Sequence, residues 1–528
     1  MDGGLFPPKT LRQLLEGLSG CQVKGDDRLL IPGVAYHSQE VTPGGVFVAI
    51  PGHHTDGRRF IPAALEQGAR VIVTEHDLEP PPGVTLVQVA DARLALAHLS
   101  AAFYDHPSRE LTLVGITGTN GKTTTAYLLE AIFAAAGYRV GVLGTVNYRL
   151  GDRVWPAPVT TPESLDLNRY LRQMRQAGAT HAILEVSSHA LELKRVDRVA
   201  FAAGIYTNLS QDHLDYHLHL EAYFAAKTRL FLEILGNGGG PPGLAVLNLD
   251  DPRGRELKER VCVPVLTYGR HPASQVRPLA ARFHREGLEA RIATPQGEVE
   301  VASRLVGHYN LSNILAAGAA ALGLGLSLEE VARGVASLAG VPGRLERFGP
   351  PGGPHVFVDY AHTPDALASV LAALASLKFA RLITVFGCGG DRDRSKRPLM
   401  GRAAAAASSL VLVTSDNPRT EAPLAIIAAI EAGIRELNFP RLTLAAARRG
   451  ERGYLVVPDR REAIRLAVQL AAPGDAVLVA GKGHEDYQII GQQRRHFDDR
   501  EEVQQALQER ADRQVNRGAS PTGGEISV

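Results

Sequence analysis

The sequence predicts an α/β protein of three domains: a small N-terminal α/β module, a central domain built on a parallel sheet, and a C-terminal Rossmann-like α/β domain. Two observations predict this class. Short apolar runs alternate with amphipathic helical segments along most of the 528 residues, which is the pattern of parallel sheets covered on both faces. The chain is also too long for one hydrophobic core, and its length favours about three domains.

The predicted domain boundaries fall where proline, glycine and polar residues cluster. The N-terminal module spans residues 1–108, the central domain 109–342 and the C-terminal domain 343–510. The last residues, 511–528, are polar and rich in Gly and Ser. We therefore expect them to form a disordered tail.

Composition excludes several classes of protein. Lys and Arg number 57 against 56 Asp and Glu, a net charge of +1, so no overall field attracts nucleic acid or an acidic membrane. The three cysteines, an odd number far apart, argue against a disulfide framework or a CxxC metal site. Neither a signal peptide nor a membrane span is recognisable. We expect a cytoplasmic monomer that acts on small molecules.

The stretch LTLVGITGTNGKTTTAYLL at residues 111–129 has the pattern of a phosphate-binding loop between a strand and a helix. Glycines let backbone N–H groups curl around an anion, and the helix adds the positive end of its dipole. Lys122 is placed to reach nucleotide phosphates, and the Thr123 hydroxyl to bind Mg²⁺. The loop GTNGKTT, 118–124, is the short form, because Ile116 stands where the usual first glycine would be. The central domain is thus predicted to be an ATPase-like P-loop domain, with a bare glycine turn as the alternative.

Two further segments of the central domain carry candidate metal ligands. Glu185 ends a strand-like run in AILEVSSH, where a carboxylate can hold Mg²⁺ beside the phosphate loop. Residues 207–231 contain three histidines among acids and bases. Zinc is one interpretation, although the segment lacks HExxH and cysteine; one histidine and one acid near the magnesium of ATP is the other. Lys227 lies in the same segment, on a predicted helix, where a solvated lysine is the alternative to a functional one.

Three charged loops follow strand-like runs of the C-terminal domain: GCGGDRD (387–393), DNPR (416–419) and GKGHE (481–485). Ligands bind at the carboxyl ends of parallel strands, so the three loops are expected to converge on one crevice. Guanidinium groups grip a carboxylate bidentately, and Glu485 can hold an ammonium. Each loop alone could be a charged turn, but together they predict a site for a zwitterion.

Together these motifs resemble those of the Mur ligase family, ATP-dependent enzymes that form amide bonds in peptidoglycan precursor synthesis. In that family the N-terminal module holds the UDP end of the substrate, the central domain holds ATP and the third domain brings the amino acid. The resemblance covers nearly the whole chain and rests also on TTPES (160–164), TNLSQDHLDYH (207–217), HYNLSNILAA (308–317), GRLERF (343–348) and DYAHTPDAL (359–367).

The resemblance implies roles for individual residues. The catalytic residues are Lys122, His213 and Lys227. ATP is bound by Gly118, Thr119, Asn120, Gly121, Lys122, Thr123, Thr124, Asn313, Arg344 and Asp359. Two Mg²⁺ ions are bound by Thr123, Glu185, His213 and Lys227, the last as a carbamate formed with CO₂. The UDP-muramoyl-peptide is bound by Ser38, His53, His54, Thr55, Thr160, Thr161, Ser188 and Arg195. Diaminopimelate is bound by Arg392, Asp416, Asn417, Pro418, Arg419, Gly481 and Glu485.

The implied reaction adds meso-2,6-diaminopimelate to the D-Glu of UDP-N-acetylmuramoyl-L-Ala-D-Glu through an acyl phosphate. Arg419 selects the amino acid, because lysine has no distal carboxylate for a guanidinium to bind. The chain departs from the family pattern at residues 37–39, His-Ser-Gln instead of Asp-Ser-Arg, and at Leu193, where some members have a polar substrate contact. The alternatives are a lysine-adding ligase, a folylpolyglutamate synthase and, from another class, an ATP-driven motor or switch.

Overall fold

The computed structural model of this protein describes residues 6–52, 56–210, 212, 214–236, 242–350 and 352–518, without the side chains of residues 214, 215 and 514–518. Three large sheets follow one another along the chain, each with helices on its faces. The predicted three-domain α/β architecture is therefore confirmed, while the boundaries at residues 108, 342 and 510 stay predictions. None of the described helices is long and apolar enough to cross a membrane.

The N-terminal sheet has five strands, parallel except for the first: Gln22–Lys24, Thr85–Gln88, Val71–Thr74, Val46–Val48 and Val34–Ala35. Its helices are Leu11–Leu15, Ile61–Glu66 and Ala92–Phe103, and Lys9–Thr10 pairs with Leu30–Ile31. Side chains alternate between the faces of a strand. Val46 and Val48 thus pack in one core cluster, and Phe47 in another.

The central sheet has eight strands, in the order Arg153–Trp155, Tyr148–Leu150, Val140–Leu143, His181–Glu185, Thr112–Thr117, Ala203–Tyr206, Leu244–Asn248 and Val265–Tyr268. The first two form an antiparallel hairpin at the edge, and the other six are parallel. Both faces are covered: Val114 packs in one core cluster and Leu113 in another. The phosphate loop therefore follows a strand deep inside the sheet.

The helices and smaller elements of the central region surround this sheet. The helices are Lys122–Ala135, Ser164–Gln176, Ser188–Glu192, Leu214–His217, Leu220–Arg229 with a π-helical continuation Leu230–Ile234, Pro252–Lys258, Tyr309–Gly323 and Leu328–Ser337. The hydrophilic interval predicted to be β-like forms an antiparallel sheet of Arg277–His284, Gly287–Thr294 and Gly297–Ser303.

The C-terminal sheet has six strands, parallel except for the first: Glu346–Phe348, His355–Asp359, Ala476–Ala480, Leu382–Phe386, Leu410–Val413 and Gly453–Val456. Its helices are Pro364–Ser376, Lys396–Ala407, Pro423–Arg435, Leu444–Arg448, Arg460–Leu470 and Asp499–Gly518. A hairpin of Tyr487–Ile490 and Gln493–His496 lies between the last strand and the last helix.

The expected disorder of residues 511–528 is wrong for residues 511–518, because the last helix continues to Gly518. This segment has no proline, and its only glycine is the final residue, so nothing breaks the helix earlier. The helix is anchored at its start by a buried pair, in which Arg460 donates to both carboxylate oxygens of Asp499 at 2.8 and 2.7 Å. Residues 519–528 lie outside the described residues.

Candidate active site

The phosphate loop takes the shape that its glycines allow. Gly118 has φ +141° and Gly121 has φ +87°, values that other residues rarely adopt. A Cβ on Gly118 would also overlap the hydroxyl of Thr207. The helix begins directly after the loop, at Lys122, and Thr124 is buried in its first turn. Its first N–H groups therefore face the loop, as anion binding requires.

The loop is held open by the segment that follows the strand Ala203–Tyr206. Asn208 donates from Nδ2 to the carbonyl oxygen of Asn120 at 3.1 Å and accepts at Oδ1 from the Asn120 N–H at 3.0 Å. The hydroxyl of Thr119 accepts from the Ser210 N–H at 3.0 Å. Two of the predicted loop residues are thus fixed by neighbours that sequence reasoning did not single out.

Two buried lysines meet at the carbonyl oxygen of Gly118. Lys122 Nζ donates to it at 2.9 Å, and Lys227 Nζ at 3.0 Å. Burial lowers the pKa of Lys122, and it lowers the pKa of Lys227 well below its usual value, with the charge of Lys122 adding to the effect. Burial therefore favours the uncharged amine of Lys227, and because only 1% of the residue is exposed, the alternative of a solvated helical lysine is excluded.

The predicted metal residues Thr123 and Glu185 come together. Thr123 donates from Oγ1 to Glu185 Oε2 at 3.0 Å. Thr145, which the sequence reasoning missed, donates to the same carboxylate from its N–H at 3.1 Å and its hydroxyl at 2.9 Å. These are hard oxygen donors of the kind that Mg²⁺ prefers. His213 lies outside the described residues. Among the described residues, no three or more His, Cys, Asp or Glu side chains are grouped as they are in a zinc site.

The three nucleotide residues predicted far from the loop also lie near it. Asn313 faces Gly121 so closely that a Cβ there would overlap its Oδ1. Arg344 donates from Nη2 to the Thr123 hydroxyl at 3.4 Å, which links the C-terminal region to the phosphate loop. Asp359 is buried and accepts from the N–H group of Leu345 at 2.7 Å, so it fixes the backbone beside Arg344. Burial raises the pKa of Asp359.

The residues predicted to bind the muramoyl-peptide lie around Glu185. Thr160 lies 3.2 Å from the hydroxyl of Thr145, and Thr161 donates to the Glu185 carbonyl oxygen at 2.8 Å. Arg195 donates from Nη1 to the Thr161 carbonyl oxygen at 3.1 Å. Ser188 shares a hydrogen bond of 2.8 Å with His217 Nε2. Of the predicted uridine residues, Ser38 is buried in the short 3₁₀ helix Ser38–Glu40, and 53–55 lie outside the described residues.

A cavity of about 830 Å³ lies at the carboxyl ends of the C-terminal strands. Six of the seven residues predicted to bind the amino acid line it: Arg392, Asp416, Asn417, Arg419, Gly481 and Glu485. Pro418 is not among the lining residues; its carbonyl oxygen accepts from the Glu421 N–H at 3.1 Å, so it shapes the turn. The predicted convergence of the three loops is therefore found.

One side of this cavity is an acid–amide cluster organised by a fully buried lysine. Lys482 Nζ donates to Asn417 Oδ1 at 3.3 Å and to Glu485 Oε2 at 3.2 Å. The Ile489 N–H donates to the same Asn417 oxygen at 2.9 Å, which turns the amide nitrogen toward Glu485 at 3.1 Å. Burial raises the pKa of Glu485. The sequence placed Lys482 at this crevice with the GKGHE loop but gave it no role, because the motif alone gives no sign that its lysine is buried.

The other charged groups of the cavity are two arginines. Arg419 adopts a left-handed φ of +50° and donates from Nη1 to the carbonyl oxygen of Gly390 at 2.7 Å. Arg392 donates from Nη1 to the Asp391 carbonyl oxygen at 3.2 Å. Within the part of the chain that the structure describes, neither arginine forms an ion pair, so both charges are available to a carboxylate.

Asp212 connects the cavity with the surroundings of the phosphate loop. This residue, from the segment after the strand Ala203–Tyr206, lines the cavity together with Tyr360 and His362. The charge of Asp212 also acts on Lys122 and Lys227. The zwitterion site therefore opens on the side of the phosphate loop, as a transfer between two substrates requires.

This combination of a phosphate loop with an adjoining zwitterion site defines a nucleotide-dependent ligase. Family models agree: "Mur ligase family, catalytic domain" matches residues 30–104, "Mur ligase middle domain" 116–321 and "Mur ligase, glutamate ligase domain" 343–483. The chain belongs to the Mur ligase family.

Particular relatives are similar over nearly their whole length. A UDP-N-acetylmuramoyl-L-alanyl-D-glutamate–2,6-diaminopimelate ligase of Geobacter metallireducens is 49% identical over 502 residues, 94% of this chain and 98% of the relative. One of Geobacillus thermodenitrificans is 42% identical, over 95% and 99%. A solved structure of a ligase with this name has 32% identity and a TM-score of 0.69, covering 96% and 99%. The MurF ligase of Thermotoga maritima in complex with ADP shares the fold at 19% identity and a TM-score of 0.59.

Proposed function

We propose that this protein is an ATP-dependent ligase that adds meso-2,6-diaminopimelate to the D-Glu of UDP-N-acetylmuramoyl-L-Ala-D-Glu. The observation that carries the proposal is the cavity in which Arg419 and Arg392 accompany the cluster of Asp416, Asn417 and Glu485. Such a site suits an amino-acid centre, with arginines for a carboxylate and acids for an ammonium. The names of the relatives point to the same substrates.

The reaction proceeds in two transfers. The γ-carboxylate of the D-glutamyl residue attacks the γ-phosphorus of ATP, ADP leaves, and an acyl phosphate remains. The amine of diaminopimelate then attacks the acyl carbon, and inorganic phosphate leaves. Both steps depend on positioning and on neutralising spread charge, which Lys122, Arg344 and the loop N–H groups supply. Water has to be kept from the acyl phosphate until the amine attacks.

The ATP residues are those around the loop, with Asn313 toward the adenine and Asp359 fixing the backbone beside Arg344. The oxygens of Thr123 and Glu185, 3.0 Å apart, fit Mg²⁺, with His213 as a further ligand. Bound there, Mg²⁺ would neutralise charge on the phosphate oxygens. Lys227, a buried amine whose uncharged form is favoured by burial, is suited to take up CO₂ as a carbamate, whose oxygens would hold a second Mg²⁺.

The remaining substrate residues divide between the regions of the chain. The peptide is held beside Glu185 by Thr160, Thr161, Ser188 and Arg195. This placement brings the carboxylate of the D-glutamyl residue to the γ-phosphate. Ser38 and 53–55 hold the uridine end in the N-terminal module. We further propose that the protein works as a monomer in the cytoplasm, where ATP and UDP-linked sugars are made.

A lysine-adding ligase is the closest alternative, and Arg419 separates the two. The variant Arg419→Ala should raise the KM for meso-diaminopimelate by on the order of 10²-fold, because a bidentate, charge-assisted contact to the distal carboxylate is lost. Its KM for ATP should not change. Steady-state kinetics of phosphate release measure both constants.

The matched control is Arg448→Ala, at the end of the helix Leu444–Arg448 and away from the cavity. It should leave both KM values as they are. An Arg419→Ala enzyme with an unchanged KM for diaminopimelate would contradict the assigned specificity.

A further inference from the structure

The second transfer needs a base. Amino groups of amino acids are largely protonated at neutral pH, and an ammonium has no electron pair with which to attack an acyl phosphate. The base must therefore lie in the amino-acid cavity near its phosphate end, and it must be uncharged or anionic at working pH. Lys227 and Lys122 do not meet this need, because both amines donate to the Gly118 carbonyl oxygen of the phosphate loop and are used there.

His362 lies at the required place. It follows the strand His355–Asp359 and lines the cavity together with Asp212, whose charge acts on His362 as well as on both lysines of the phosphate loop. Lys396 Nζ donates to the backbone carbonyl oxygen of His362 at 3.0 Å, so the loop that carries the imidazole is fixed.

The tautomer of this histidine follows from its hydrogen bond. Nδ1 lies 2.9 Å from the backbone carbonyl oxygen of Tyr360. A carbonyl oxygen only accepts, so Nδ1 carries the hydrogen and the electron pair of the neutral ring is on Nε2. The Tyr360 ring packs against the imidazole with centroids 4.7 Å apart. The side chain is thus oriented as a base that accepts a proton at one defined atom.

We propose that Nε2 of His362 is the general base that deprotonates the incoming ammonium of the amino acid. The proposal rests on the ligase function proposed above. The imidazole takes one proton from the ammonium, and the freed electron pair of nitrogen forms the C–N bond at the acyl carbon. The C–O bond to phosphate then breaks, and its electron pair leaves with the phosphate. The nitrogen gives up its second proton to the departing phosphate, which leaves a neutral amide, and the imidazolium releases its proton to solvent.

The charges around His362 favour the neutral form. Burial lowers the pKa of His362, and the positive charges of Lys396 and Arg344 lower it further. The hydrogen bond to the Tyr360 carbonyl oxygen and the charge of Asp212 raise the pKa, but the net shift is downward. The imidazole is therefore neutral at pH 7 and above. Since only the neutral ring accepts a proton, amide formation is expected to fall as the pH drops through the pKa of His362, on the acid side of neutrality.

The test uses a second nucleophile to distinguish the loss of proton transfer from the loss of any other catalytic step. His362→Gln keeps a polar side chain but cannot take up a proton. We expect kcat for diaminopimelate to fall on the order of 10²- to 10³-fold. Hydroxylamine, an amine that is uncharged at neutral pH, needs no base and traps the acyl phosphate as a hydroxamate. Its rate of hydroxamate formation should stay within about twofold of wild type, as expected when only proton transfer is lost.

His355→Gln is the matched control, because this half-buried histidine begins the same strand and does not line the cavity; it should keep both activities. Unchanged kcat in His362→Gln, or an equal loss with both nucleophiles, would overturn the proposal. A wild-type enzyme that forms neither amide nor hydroxamate from ATP and the nucleotide-peptide would overturn the proposed ligase function itself. The acid limb of the kcat profile should also be absent in His362→Gln.

Discussion

Lys122→Met is expected to lower kcat/KM for ATP by on the order of 10³-fold, because its ammonium is the cation nearest the transferred phosphate. Without ligand, this lysine donates to the carbonyl oxygens of Gly118 and Thr119 at 2.9 Å each. Burial disfavours the charged form of Lys122 in the free protein. The negative charge of bound phosphates is expected to favour that charged form again. Methionine fills the same space, and the melting temperature should change little.

The matched control for this variant is Lys258→Met, at the end of the helix Pro252–Lys258 and on the surface. It should retain wild-type kinetics. Phosphate release measures activity, and thermal unfolding measures stability. A Lys122→Met enzyme that keeps more than about a tenth of the wild-type kcat/KM would show that the loop does not act on the transferred phosphate.

Lys227→Ala is expected to reduce kcat on the order of 10²- to 10³-fold and to be partly rescued by acetate. The amine of Lys227 is buried, and burial favours its uncharged form, which is the form that takes up CO₂. A small carboxylate can enter the space left by alanine and replace the oxygens of the carbamate, in the way that added ligands refill deleted side-chain sites. Activity at several acetate concentrations measures the rescue.

Lys122→Ala is the control, because its deletion removes a cation and acetate should not restore activity. Methylamine, which replaces an amine, should rescue Lys227→Ala less well than acetate does. Rescue by methylamine alone would assign Lys227 a role as a plain amine. Full activity without any additive would remove the residue from the mechanism.

The features predicted well from the sequence are those set by local pattern. The loop at 118–124 follows from a strand, glycines and a helix in immediate succession, and the zwitterion cavity follows because parallel strands end at one edge of a sheet. The same rule predicted that Arg419 lies in the cavity, because it belongs to the second of the three loops that follow strands. The fold class followed from the same alternation of strands and helices.

The features that were missed depend on contacts between distant parts of the chain. Lys482 meets Asn417 across 65 residues, and Thr145 meets Glu185 across 40. The pattern of apolar and polar residues does not predict that a lysine in a glycine loop is fully buried, because burial depends on the packing of several elements at once. The tail was mispredicted for the opposite reason: its polarity suggested disorder, but residues 511–518 extend a helix that is anchored by Arg460 and Asp499.

The most direct test of the proposed function is phosphate release from ATP in the presence of UDP-N-acetylmuramoyl-L-Ala-D-Glu, with meso-diaminopimelate or L-lysine added in turn. We predict sustained release with diaminopimelate and none above background with lysine, because only diaminopimelate offers a second carboxylate to Arg419. Equal release with lysine would keep the ligase and contradict the specificity. Release that needs neither amino acid nor nucleotide-peptide would contradict the ligase function.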